Sequence, residues 1–188
     1  MNYEHPKQNH GALRISYPET FSPSNILLLE VDASSVDTSP VENYAAQEGF
    51  EPKDEYHLTV IGFSVGNKLK KSLKHLSSEQ QETAMGELNH AIGLLGATTL
   101  KSDRYHRISK TYNYGEEAET RESIIQEVDI EGVEEFYSVY SQITGQELGT
   151  PFPHLTLYTK GDGEDSYRGI GIPSVEALDT ISHQQIEV

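Results

Sequence analysis

"PFPHLTLYT" (residues 151–159) repeats the His-Leu-Thr-apolar string of "EYHLTVIGF" (residues 55–63). Both copies lie in runs of β-branched, aromatic and leucine residues of strand length, which favours strands. Side chains at i and i+2 of a strand share a face, so His57 and Thr59 point together with Leu58 opposite, and His154 and Thr156 repeat this about Leu155. The echo extends upstream. Glu30-Val31-Asp32 precedes the first motif and Glu127-Val128-Asp129 the second, with the same 27 positions from Glu30 to His57 as from Glu127 to His154; Val36 and Val133 also match. A strand, a helical connection and a His-Leu-Thr strand therefore occur twice without a gap. Two copies are too few for a solenoid. They predict an α+β fold of two pseudo-symmetric lobes, with central antiparallel sheets facing a shared cleft and helices outside.

The remaining segments fit that frame. Residues 1–24 are polar and proline-punctuated and read as a flexible or loosely packed lead-in to one bilobal domain over 25–188. "NILLLEVD" (25–32) reads as a strand, and "PVENYAAQ" (40–47) as a loop or short helix. "SSEQQETAMGELNHAIGLLG" (77–96) predicts a helix capped by Ser77 or Ser78, with Met85, Leu88, Ile92 and Leu95 on one face and Gly96 as its stop. Residues 98–114 read as one or two polar strands and 121–130 as another. "GVEEFYSVYSQITG" (132–145) predicts a helix through Val133, Phe136, Tyr140 and Ile143 that stops at Gly145. "RGIGI" (168–172) and the tail from 179 read as short strands, and "GDGEDS" (161–166) as a hairpin turn, since it lacks the acid spacing and terminal Glu of a calcium loop.

Composition narrows the chemistry. The chain has no cysteine, which removes disulfides, thiolate metal sites and cysteine nucleophiles. No apolar run approaches the roughly 20 residues of a membrane helix, and the start lacks the pattern of a signal peptide, so a cytoplasmic protein without a membrane partner is expected. A net charge of -16 repels long polyanions. "KLKKSLK" (68–74), the densest basic stretch, reads as a solvated loop or helix start. A small nucleotide or oligonucleotide suits this surface better than a long nucleic acid. Each motif offers one imidazole and no adjacent carboxylate, so neither a metal nor another cofactor is expected.

If the motif strands meet, two imidazoles flank a gap rimmed by two hydroxyls, a receptacle for a phosphate group. In-line substitution at phosphorus needs a base on the attacking oxygen and an acid on the leaving oxygen, and two imidazoles supply both. The Thr59 and Thr156 hydroxyls can donate to the non-bridging oxygens.

The motif pair, "HLTV" at 57–60 and "HLTL" at 154–157, resembles the 2H phosphoesterase superfamily, which includes RNA 2',3'-cyclic phosphodiesterases of the 2'-5' RNA ligase type; the likeness covers most of residues 25–172. It implies a bilobal α+β fold, metal-independent cleavage or ring opening of a phosphodiester, and His57, Thr59, His154 and Thr156 as the functional residues. Implied substrates are cyclic mono-, di- or oligonucleotides, linear (oligo)nucleotides or an ADP-ribose cyclic phosphate, a cyclic nucleotide signal among them. RNA ends with 2',3'-cyclic phosphates are an alternative, as is a binding module that holds a nucleotide without turnover. The chain departs from ligase-type members, which often carry Arg three residues after the second Thr: it has Thr159 followed by Lys160.

Secondary candidates for substrate contact are Tyr158, expected on the face of Thr156, and Lys160. Arg104, His106 and Arg107 of "SDRYHRIS" and Tyr167 and Arg168 at the expected cleft rim complete the set. His183 offers a further imidazole only if folding brings it close.

Overall fold

The computed structural model describes residues 11–188. Residues 1–10, which carry the reading of the chain's start and part of the lead-in, lie outside it. Among the described residues, eight strands form one antiparallel sheet with five helices. The strands are β1 (Ile15–Ser16), β2 (Leu27–Val31), β3 (Glu51–Pro52), β4 (Tyr56–Ile61), β5 (Thr98–Tyr114), β6 (Glu117–Ile130), β7 (His154–Gly161) and β8 (Ser182–Ile186). Their order is β1-β2-β4-β7-β6-β5-β8, with β3 pairing alongside β7. The expected two sheets are thus one continuous sheet with the motif strands β4 and β7 side by side at its centre.

Helix α1 (Ser39–Glu48) and the short β3 lie between β2 and β4, and α4 (Val133–Thr144) links β6 to β7. Glu30 is the cross-strand partner of His57, and Glu127 that of His154. Leu58 pairs with Leu155 where the two motif strands meet.

One sheet face carries the main core. Leu58, Leu155, Leu29 and Ile124 are buried there with Phe136 and Tyr140 of α4 and Leu88 of α3 (Ser78–Ala91). The expected capping box forms: the Ser77 hydroxyl accepts from the Gln80 amide while the Gln80 side chain accepts from the Ser77 amide. This helix closes earlier than Gly96, in a 3₁₀ turn over Ile92–Leu94. Gly145 ends α4 in the left-handed conformation that glycine favours. Residues 11–24 are docked, because Leu13 and Phe21 are buried and Phe21 stacks with Phe136 and Tyr140.

A smaller cluster, Ile108, Ile125, Ile170, Ile172 and Leu178, covers part of the opposite face. Leu178 belongs to the short α5 (Val175–Leu178). Residues 168–172 supply two of these isoleucines without forming the expected strand. Gly169, at φ 74 and ψ -162, turns the chain out of any ladder, and Pro173 lacks an amide to continue one. The "GDGEDS" turn accordingly leads into a 3₁₀ turn over Ser166–Arg168 and not into a hairpin strand. The basic stretch from Lys68 runs through the second half of α2 (Phe63–Leu73) to its C-cap Lys74, and Leu69 of this helix enters the main core. No helix among the described residues is long and apolar enough to cross a membrane.

Candidate functional site

Because Leu58 faces Leu155, the antiparallel register sets His57 beside Thr156 and Thr59 beside His154 on the face away from the core. All four line one cavity of about 330 Å³, closed by Gly62, Phe63, Ser64 and Val65 on one side and by Ile170, Gly171, Ile172 and Pro173 on another. Tyr112 and Arg168 complete it. The helix α2 starts at the edge of this cavity with no side-chain cap, directly after the first motif strand. Tyr137 of α4 holds the rim together, its hydroxyl placed to donate to the carbonyls of Val60 and Pro173 at 3.2 and 3.3 Å. Burial pushes that phenol up to about 12, so it stays a donor at any pH of interest.

The two histidines are differently held. His154 Nδ1 lies 2.8 Å from the carbonyl oxygen of Phe152; a carbonyl can only accept, so Nδ1 carries the hydrogen and Nε2 remains for proton exchange. Desolvation lowers the His154 pKa, the Phe152 carbonyl works against this, and His57 and His106 lower it further. Desolvation also lowers His57, with the nearby Lys53 adding to it and Glu55 opposing it. Both shifts favour the neutral ring in the free protein. A neutral imidazole is a competent base, and an entering phosphate anion favours protonation of its partner.

The other expected contacts separate into three groups. Tyr167 and Arg168 lie beside His57 and Thr59 along an adjoining groove. Arg104 and His106 line a different cavity, where His106 Nε2 donates to Glu127 at 2.7 Å and Arg104 and Lys101 complete the ion cluster. Burial pushes the Glu127 carboxyl up, but hydrogen bonds from His106, Arg104 and Lys101 outweigh it and hold the pKa below its ordinary value. His183 lines the same cavity, and no cluster of three or more metal-ligating side chains occurs among the described residues. Tyr158 and Lys160 are on the helix side of the sheet. A bulge at Leu157, where Ile125 pairs with Thr156 and Ile124 with Tyr158, breaks the strict alternation. Tyr158 consequently sits in the main core, Thr159 lines the groove, and Lys160 donates to the Glu48 carbonyl at 2.8 Å. Arg107 is engaged by Glu48, Glu122 and the Tyr44 hydroxyl.

No family model, curated protein or solved structure matches the chain.

Sequence reasoning passed over Phe63, Tyr112 and Phe152. The last two carried legible signals: Phe152 stands between two prolines immediately ahead of a motif histidine, and Tyr112 lies in a long strand rich in tyrosine. Phe63 carries no such signal, because its exposure at the cavity mouth depends on the tertiary fold.

Proposed function

We propose that this protein is a phosphodiesterase of the 2H type, which cleaves or ring-opens a cyclic or linear nucleotide phosphodiester by two-histidine acid–base catalysis. The observation that carries the reading is the Leu58–Leu155 pairing, which delivers two imidazoles and two hydroxyls to one cavity. The equal Glu30–His57 and Glu127–His154 registers support two pseudo-symmetric lobes joined at that pair.

In hydrolysis, one neutral imidazole takes a proton from water as the water oxygen bonds to phosphorus. The other, as imidazolium, gives a proton to the ribose oxygen as the old P–O bond breaks. Thr59 and Thr156 donate to the non-bridging oxygens and hold the group in line. Where the substrate supplies its own 2'-hydroxyl, that oxygen attacks instead and the product is a cyclic phosphate. Arg168 at the cavity offers local positive charge within a chain of net charge -16, which favours a small anion over a polymer.

The test is turnover of a panel of cyclic and linear nucleotides in EDTA by the wild type, His57→Ala and His154→Ala. Each variant is expected to lose about 10²–10⁴-fold in kcat. Turnover retained in both variants overturns the mechanism.

A further inference from the structure

On the His57–Thr59 side, the cavity opens into a groove of about 1000 Å³, and His57, Thr59, Gly62, Phe63, Arg168 and Gly171 line both spaces. Three large apolar side chains that would ordinarily avoid water converge on the groove: Phe63 is 67 % exposed, Tyr167 58 % and Leu28 41 %. Leu28 is the cross-strand partner of Thr59, so this apolar surface begins beside the proposed phosphate seat. Exposed apolar side chains gathered in one concavity mark a ligand wall more than a solvated surface.

The polar groups of the groove are equally specific. Lys53 Nζ donates to the Tyr167 carbonyl at 2.7 Å, tying the segment that carries Tyr167 to the loop ahead of β4. The Arg168 guanidinium lies 5.7 Å from the Tyr167 ring and is also paired with Asp165. Glu51, Asp54 and Glu55 line the same groove and can accept from ribose hydroxyls or exocyclic amines. Aromatic faces beside hydrogen-bonding side chains suit a nucleobase, since every base has a π-face to stack.

Volume decides how much of a substrate reaches this far. Ligand pockets span roughly 300–1,000 Å³, so the inner cavity is near the lower bound and the groove near the upper. A phosphodiester centred on His57, Thr59, His154 and Thr156 carries an ester oxygen to either side, and its two substituents leave in opposite directions. With one in the inner cavity beside Tyr112, the other is directed toward the groove that shares His57 and Thr59 with that cavity.

We infer that the groove seats the second nucleoside of a phosphodiester joining two nucleosides, stacked against Phe63 and Tyr167; the inference rests on the phosphodiesterase reading and specifies its substrate class. Dinucleotides, linear or cyclic, are then preferred over mononucleotides, which leave the groove empty.

The experiment compares kcat/KM for a linear dinucleoside monophosphate and a 2',3'-cyclic mononucleotide in the wild type, Phe63→Ala and Tyr167→Ala. Both side chains are largely exposed, so neither truncation removes core packing. The wild type is expected to favour the dinucleotide, Tyr167→Ala to lose about 10- to 100-fold on it and less than about 3-fold on the mononucleotide, and Phe63→Ala, at a position that also lines the inner cavity, to lose more on the dinucleotide than on the mononucleotide. Equal losses on both substrates, or none, overturn the groove assignment and leave the catalytic reading standing. Calorimetry with the dinucleotide separates the remaining cases. Binding without turnover, weakened about 10-fold by Phe63→Ala, upholds the groove and overturns catalysis. Neither binding nor turnover overturns both.

Discussion

The imidazole of His154 donates Nδ1–H to the carbonyl oxygen of Phe152 at 2.8 Å, while the ring of the same Phe152 lies 5.4 Å from it. Pro153 confines Phe152 to extended backbone, and Pro151 fixes the residue before it, so the acceptor is in place where His154 enters the sheet. Phe152 also meets the ring of His106 edge-on at 6.4 Å, and His106 is in turn held by Glu127. Phe152→Ala keeps the carbonyl but removes the ring that limits how His154 tilts. A misplacement of about 1 Å costs on the order of 10²-fold, so kcat is expected to fall about 10- to 100-fold with KM less affected. Phe152→Leu, which restores most of the volume, should recover most of that loss. Steady-state kinetics of the two variants checks this, and an unchanged kcat in Phe152→Ala removes the positioning role.

The pH profile follows from the histidines. Desolvation lowers both His57 and His154 from the ordinary value of 6.5. A general base fails as pH falls through its pKa, and a general acid fails as pH rises through its own. With both lowered, the kcat/KM bell for the free enzyme is expected to peak below about 6.5. Stability has the corresponding sign: the unfolded rings bind protons that the folded rings refuse, so this contribution is fully present above 6.5 and is lost as pH falls through the folded values. A kcat/KM peak above about pH 7.5 contradicts the assignment of both rings.

Gly169 is the point where the covering segment touches the motif face. Its φ of 74 with ψ -162 is a conformation open to glycine, and a Cβ added there would lie 3.4 Å from Thr156 Cγ2 and 3.5 Å from Ser123 Oγ. The contact alone is tolerable, so backbone strain is the larger effect. Gly169→Ala is expected to cost about 1–3 kcal/mol in chemical denaturation. Relief of that strain would shift the segment against Thr156 and lower kcat/KM. Wild-type stability in the variant would show that the segment moves freely.

Legibility in the sequence followed the strength of the local pattern. The motif strands, their opposed leucines and the helices α3 and α4 were readable because periodicity and capping residues agreed with burial. The bulge at Leu157 was not, since one extra residue in a strand leaves no mark in composition, and it sends Tyr158 to the core and Thr159 to the groove. Isoleucines 170 and 172 alternate like a strand, yet they satisfy a small separate core without pairing. Helix α2 was obscured by its lysines, although Val65, Leu69 and Leu73 recur every fourth residue. Arg104 and His106 were visible as polar groups in a strand, but their attachment to Glu127 depends on a pairing between β5 and β6 that no local signal specifies.

Two helix glycines should respond to alanine with opposite signs. In a helix interior Gly→Ala ordinarily stabilises by roughly 0.5–1 kcal/mol, because glycine loses more backbone freedom on folding. Gly86 of α3 is exposed with nothing within 4 Å of an added Cβ, so Gly86→Ala is expected to show that full gain. Gly66 of α2 is buried, and its added Cβ would meet the carbonyl oxygens of Asn25 at 2.7 Å and Ser24 at 2.9 Å. Both obstacles are backbone, and Asn25 is itself held at a φ of 60, so the contact is relieved only by moving α2 off the 22–26 turn. Overpacking of this kind costs about 1–3 kcal/mol, which exceeds the propensity gain. Gly66→Ala should therefore be net destabilising and, because α2 begins at the cavity edge with Phe63, should also lower kcat/KM on the proposed substrates. Urea denaturation of both variants checks the pair, and stabilisation by Gly66→Ala would mean that α2 packs less closely on that turn than the structure places it.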